Sequence, residues 1–269
     1  MEASTSANET ARGAEVDLFA AASDPIRIVP LHLPPELTEL AAPPAAPHLT
    51  YRGGPLLTQA QVFTTFWGRA WEQAPQSELL KSINAFFADI LTSELIDQLA
   101  EYDVAGQHIQ HGQVLGSATV PGARFRGSTS DGALRHRLQH LIATDARFPQ
   151  PTRNTLYFIY LPPGVVLVSG GDRSCQAFCG YHDHINGQVF YAAMPYPGCA
   201  GCTGALQPLD ALTSTSSHEL CEAITDAVPG QGWYDDTHGE IGDICAWKTK
   251  QVGNWTVQLE WSNAKTACV

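Results

Sequence analysis

The stretch Ser217-His218-Glu219-Leu220-Cys221-Glu222-Ala223-Ile224-Thr225-Asp226 decides how the rest of the chain is read. It has the spacing of the helical pattern H-E-x-x-H. In that pattern two histidines four residues apart face one metal ion, and the glutamate between them activates a water. Here Glu222 stands where the second histidine would be. A carboxylate oxygen is also a zinc ligand, and residues four apart on a helix project to nearly the same side. His218 and Glu222 can therefore still converge on one ion, with Glu219 placed to reach a water without being a ligand. The competing reading is a chance H-E-x-x-E on an ordinary helix. Against it, the polar run Thr213-Ser214-Thr215-Ser216-Ser217 supplies a helix start. Carboxylates are also scarce over residues 175–217 and dense from 219 to 243. Asp226, four residues further on, can bind the metal, cap the helix end or orient His218.

A catalytic zinc usually takes three protein ligands and leaves a position for water, so a third ligand is sought elsewhere. The segment Gly232-Trp233-Tyr234-Asp235-Asp236-Thr237-His238-Gly239-Glu240-Ile241-Gly242-Asp243-Ile244-Cys245 offers candidates. Glu240 lies 22 residues after His218, a spacing that resembles thermolysin-like peptidases, where a glutamate on a following helix completes the site. Asp243 shares a face with Glu240 if this segment is helical, and the two are equal candidates, with His238 and Asp226 behind them. Tyr234, His238 or His184 can stabilise an oxyanion. His182 and His184 alternate as on one face of a strand. They read either as ligands or oxyanion donors, or as a hydrogen-bonded loop. His136 and His140, beside Arg135 and Arg137, read as a solvated helix face.

The chain has 269 residues, 44% apolar and 16% charged, as expected of a globular protein with one large domain or two small ones. A net charge of −12 argues against a nucleic-acid or anionic-membrane surface, which needs clustered Lys and Arg. No apolar run is long enough to span a membrane, and no basic-then-apolar leader is visible. Residues 1–48, rich in Ala and Pro, read as a disordered tail or loosely docked arm. They also read as a pro-segment lying across the site, anchored by Val29, Leu31, Leu33 and Leu37. The compact part begins at Leu49. Strands are expected at 61–67, 107–120, 155–161, 165–169, 188–194 and 256–261. Helices are expected at 77–102 (one, or two broken near Thr92-Ser93), 131–144 and 209–227. This alternation predicts an α/β or α+β domain over 49–269, with a mixed β-sheet packed on long helices that include the H-E-x-x-E helix.

Seven cysteines leave at least one unpaired, and Cys221, inside the H-E-x-x-E helix, is the candidate. The other six can form three disulfides, as in an oxidising compartment, with Cys245 and Cys268 a plausible pair. Alternatively, Cys175, Cys179, Cys199 and Cys202 hold a structural zinc.

Several segments together resemble the exordium (phosphate-induced protein) family. They are Tyr51-Arg52-Gly53-Gly54-Pro55-Leu56-Leu57, Phe66-Trp67-Gly68, the Cys175–His182 segment, Ala223-Ile224-Thr225-Asp226, Gly232-Trp233-Tyr234 and Trp261-Ser262-Asn263 with Cys268. The resemblance covers residues 49–269. Plant members are secreted and cell-wall-associated and lack the H-E-x-x-E residues. This chain resembles a bacterial branch that keeps His218, Glu219, Glu222, Glu240 and Asp243, and that branch is similar to zincin-type metallopeptidases. Together these readings predict a secreted, zincin-like peptidase. Zinc is held by His218, Glu222 and a carboxylate from Glu240 or Asp243, with Glu219 as base, a peptide or protein as substrate, and the N-terminal arm as a possible inhibitor. A carboxylate-rich site weakens the Lewis acidity of zinc, so modest activity or an alkaline optimum is expected. The rival expectations are a non-catalytic extracellular protein with a structural metal or none, and a secreted glycan-binding protein using its tryptophans.

Overall fold

Three segments, QVFTTFW, TLYFIY and VFYAAM, place apolar or β-branched residues on both faces, the pattern of strands covered on both sides. A computed structural model, which describes residues 28–32 and 46–269, shows them as the centre of a six-stranded sheet. The elements that place the site are, in chain order, β1 (Ile28–Pro30), β2 (Gln61–Trp67), α1 (Gln76–Ile90), β3 (Gln113–Val120), α2 (Asp131–Thr144), β4 (Thr155–Tyr160), β5 (Phe178–Ile185), β6 (Val189–Met194), α3 (Pro208–Thr225), β7 (Thr249–Val252) and β8 (Trp255–Gln258). The sheet order is β1-β5-β6-β4-β2-β3. Strands β6, β4, β2 and β3 run parallel, whereas β5 runs antiparallel to both of its neighbours. The fold is thus a mixed sheet with helices, of α+β type.

Alternation along each strand sorts the core into two layers. Val62, Phe66, Leu156, Phe158 and Met194 face Ile83, Phe86 and Phe87 of α1 and Leu220 and Ile224 of α3. Phe63, Tyr157, Ile159 and Tyr191 face Leu134, Leu138 and Ile142 of α2. Burying one such large apolar side chain contributes roughly 1.5–3 kcal/mol, so α1 is held mainly by its four buried residues Ile83, Phe86, Phe87 and Ile90.

Helix α3 is buried along Ala211–Thr225 rather than on one face. It starts at Pro208, a residue suited to the first helical turn because its missing N–H has no intrahelical role there. The hydroxyl run Thr213–Ser217 is therefore helix interior and not the helix start expected from sequence. Its small side chains allow close packing, and they find partners. Thr213 Oγ1 donates to Thr256 O (2.7 Å), Ser217 Oγ to Ser214 O (2.8 Å), and Ser216 Oγ pairs with Tyr160 Oη (2.7 Å). The β7–β8 hairpin packs on the same helix, with Gln258 N donating to Ser217 Oγ at 2.9 Å.

Elsewhere the expected elements shift for local reasons. The 77–102 segment takes the second of its two expected forms, broken near Thr92-Ser93: the first helix ends at Ile90, and Ser93 caps the next turn by accepting from Leu95 N. The strand expected over 107–120 begins only at Gln113. The expected boundary at residue 49 also sets apart a segment that the sheet includes, because β1 adds antiparallel to β5 with Val29 opposite Gly180. As expected of an anchor, Val29 is 2% exposed, and it packs with Leu31 against Cys175, Cys179, Cys199, Cys202 and Trp247. Leu33 and Leu37 lie outside the described residues.

Those cysteines form the disulfides Cys175–Cys199 and Cys179–Cys202; a third joins Cys245 to Cys268, and Cys221 stays free and buried. The pairing excludes a cysteine zinc site and fits an oxidising compartment. No helix among the described residues is long and apolar enough to cross a membrane.

Candidate metal centre

The middle of α3 carries His218, Glu219 and Glu222, each with no exposed surface. The i, i+4 spacing acts as expected, with His218 Nε2 2.9 Å from Glu222 Oε1. Asp243 Oδ1 lies 3.9 Å from the same nitrogen. Asp243 opens a short 3-10 turn (Asp243–Cys245), and Glu240 lies before it in a bend, so the helical face expected to carry both is absent. The turn still folds both carboxyls inward, with Glu240 N donating to Asp243 Oδ2 at 3.0 Å. Gly242 lets this turn approach: a Cβ there would sit 2.8 Å from His218 Nδ1 and 2.9 Å from Glu222 Oε1.

From the other side β5 brings His182. Its Nδ1 is 3.3 Å from Glu219 Oε2 and 3.4 Å from Glu222 Oε2, and its Nε2 is 3.5 Å from Glu240 Oε1. A carbonyl only accepts, so the 3.1 Å contact of Nε2 with Asp226 O fixes the proton on Nε2. Gly180 lets β5 come this close, since a Cβ there would meet Glu219 Oε1 at 3.0 Å. The structure thus joins His218, Glu219, Glu222, Glu240 and Asp243 with His182, which is hydrogen-bonded here to Glu219 and to the Asp226 carbonyl.

The remaining candidates are engaged elsewhere. Tyr234 lies under the Arg52 guanidinium (4.5 Å), and its carbonyl accepts from Thr50 Oγ1. His238 Nδ1 pairs with Asp235 Oδ1 at 2.9 Å. His184 Nδ1 accepts from Gly187 N at 2.8 Å. Asp226 caps a turn, its carboxylate accepting from Gly230, Gln231 and Gly232 N–H groups. Glu260, fully buried beside Cys221, was not foreseen. Its signal was a lone carboxylate between Leu259 and Trp261 in an otherwise apolar strand end.

The electrostatics of this cluster are strained. Burial pushes Glu219 up to about 7 against the pull of His182. Burial also acts to raise Glu222, but His218 and His182 outweigh it and hold the group at about 2. Burial opposes protonation of His182, yet Glu219 and Glu222 carry it up to about 10. Glu240 is raised by burial and then by the neighbouring Glu222, Asp226 and Asp243. Asp243 is raised by burial and by Glu222, against His218.

Eight of the thirteen buried side-chain nitrogens and oxygens with no hydrogen-bond partner among the described residues belong to His218, Glu219, Glu222, Glu240 and Asp243. An unsatisfied buried polar atom costs roughly 1–3 kcal/mol. Even the few of them with no charged neighbour would take up a sizeable share of a typical stability of roughly 5–15 kcal/mol. The donor set, imidazole with several carboxylates, fits divalent-cation binding, in which each residue offers one ligand atom. No protein-family model matches the chain, and no curated protein is similar to it.

Proposed function

We propose that the protein is a metal-dependent peptidase of zincin-like architecture, secreted, with zinc held by His218, Glu222 and a carboxylate from Asp243 or Glu240. The carrying observation is that His218 and Glu222 share one face of a buried helix with Asp243 beside them, while Glu219 keeps an unpartnered oxygen. When bound, such an ion polarises a peptide carbonyl and acidifies a water. Glu219 Oε1 takes the proton and returns it to the leaving nitrogen. His182, fixed through Nε2 to Asp226 O, positions Glu219 through Oε2.

The described residues close over the side chains of this site. The ligand side chains are at most 6% exposed, and the trace of exposure is at Asp243. Strand β1 packs against α3 and against the Asp243–Cys245 turn. It is tied by Trp247 Nε1 donating to Pro30 O (2.9 Å) and His32 N donating to Gly201 O (2.8 Å). The N-terminal arm therefore acts, in this proposal, as a cover over a latent enzyme. The same burial favours a second reading: an exordium-like extracellular protein in which the cation is structural.

Peptide-library cleavage with and without chelator, on the full chain and on a form lacking residues 1–48, separates the two. Chelator-sensitive cleavage that speeds up on truncation, and falls by about 10²–10⁴ in Glu219→Gln, supports the peptidase. A rate flat with pH and indifferent to Glu219→Gln sinks the mechanism. Retained metal without cleavage in either form leaves the structural reading standing.

A further inference from the structure

The buried cluster contains two ligand groups, not one: His218, Glu222 and Asp243, and His182, Glu219 and Glu222. Glu222 belongs to both and offers a different oxygen to each, Oε1 toward His218 and Oε2 toward His182. We propose that this protein binds two divalent cations, bridged by the Glu222 carboxylate, and that His182 is a ligand of the second. The inference rests on the metal reading above and deepens it.

The tautomer of His182 carries the argument. With Nε2–H donating to the Asp226 carbonyl, the Nδ1 lone pair faces Glu219 Oε2 and Glu222 Oε2. Three such atoms converging in a buried space need a positive centre among them, either a proton on Nδ1 or a cation. A backbone carbonyl accepting from the far ring nitrogen is also how metal-ligating histidines are commonly oriented. The separations agree, because ligand atoms ~2.0–2.1 Å from a tetrahedral ion lie about 3.4 Å apart, and those observed are 3.3 and 3.4 Å.

Charge decides between one ion and two. Glu219, Glu222, Glu240, Asp243, Asp226 and Glu260 are all fully or nearly fully buried around the two histidines. A single dication offsets two carboxylates, leaving an excess that burial makes costly by several kcal/mol per ion. Protonating both histidines instead offsets only two. Two dications offset four, while both imidazoles serve as neutral ligands. Glu219 then holds the second ion through Oε2 and keeps Oε1 for the proton transfer. Paired ions about 3.5–4 Å apart are a recurring hydrolytic arrangement.

Native mass spectrometry of the full chain loaded with Zn²⁺ or Mn²⁺ tests this. The wild type is expected to carry two ions, His182→Ala and His218→Ala one each, and the double variant none. The Mn²⁺-loaded wild type is expected to show the electron paramagnetic resonance spectrum of a spin-coupled pair, collapsing to an isolated ion in His182→Ala. One ion in the wild type, lost in either variant, overturns the inference and leaves the single-site reading intact. No ion in the wild type overturns both. Should a variant fail to fold, wild-type stoichiometry and spin coupling still decide.

Discussion

Stripping divalent cations from the full chain is expected to lower its melting temperature, and to lower it more as pH rises. A cation bound only by the folded state stabilises by about 2.7 kcal/mol at a hundredfold excess over Kd and about 4.1 kcal/mol at a thousandfold. In a domain of this size each kcal/mol moves Tm by about 2–4 °C, so chelation should cost on the order of 5–15 °C. The pH trend follows from sign. Without a cation, burial and carboxyl neighbours raise Glu240, Asp243 and Glu260 above their ordinary values. A carboxyl raised in the folded state binds more protons folded than unfolded, so stability falls as pH climbs from the ordinary value near ~4 toward the raised one. The cation needs these groups deprotonated and gains as protons stop competing. The loaded and stripped curves therefore diverge between about pH 5 and 8. Calorimetry at several pH values, with and without chelator and with metal added back, measures the gap. A Tm unmoved by thorough chelation at pH 8 would refute the argument that the orphaned atoms mark a cation site.

Three further outcomes are expected. Gly242→Ala drives a Cβ to within 2.8 Å of His218 Nδ1 and 2.9 Å of Glu222 Oε1; it should cost roughly 1–3 kcal/mol and weaken cation uptake, both read by calorimetry of the loaded protein. Val29→Asp buries a charge at a site 2% exposed and should detach β1, seen as faster amide exchange across Phe178–Ile185 with unchanged exchange in α2. Asp235 is held at about 2: burial works to raise it, but the backbone N–H groups of His48 and Thr237 and the His238 side chain prevail. Its stabilisation is present above the ordinary value near ~4 and lost as pH falls toward ~2. Asp235→Ala should therefore destabilise by roughly 1–3 kcal/mol at pH 7, a deficit that urea titrations should find closing in acid.

What was legible in the sequence was local. The i, i+4 pair His218 and Glu222, the central strands rich in β-branched and aromatic residues and the odd cysteine each follow from spacing, composition or parity. Helix α2 occupies Asp131–Thr144, the range its periodicity gave. What was not legible depends on register between distant segments. The placement of His182 against Glu219 follows from β5 running antiparallel beside β6, with His182 opposite Ala192, and no local pattern fixes that pairing. The same holds for β1, whose three residues gain strand geometry only from the edge of β5, and for Glu240, whose inward turn is set by the Asp243 carboxylate and not by helix periodicity.

The replacement of a second histidine by Glu222 gains a physical reason from this arrangement. The two imidazole nitrogens diverge across a ring, and a ligating histidine commonly gives one of them to a hydrogen bond that orients it, as His182 does toward Asp226. A carboxylate presents two equivalent oxygens on one carbon, each able to accept on its own side. At position 222 one oxygen meets the group around His218 and the other the group around His182. A histidine there could serve the first group but would leave the second with His182 and Glu219 alone. On the proposed two-cation reading, Glu222→His should therefore keep one ion and lose the other. On a single-ion reading the same substitution restores the familiar H-E-x-x-H set and should tighten binding instead.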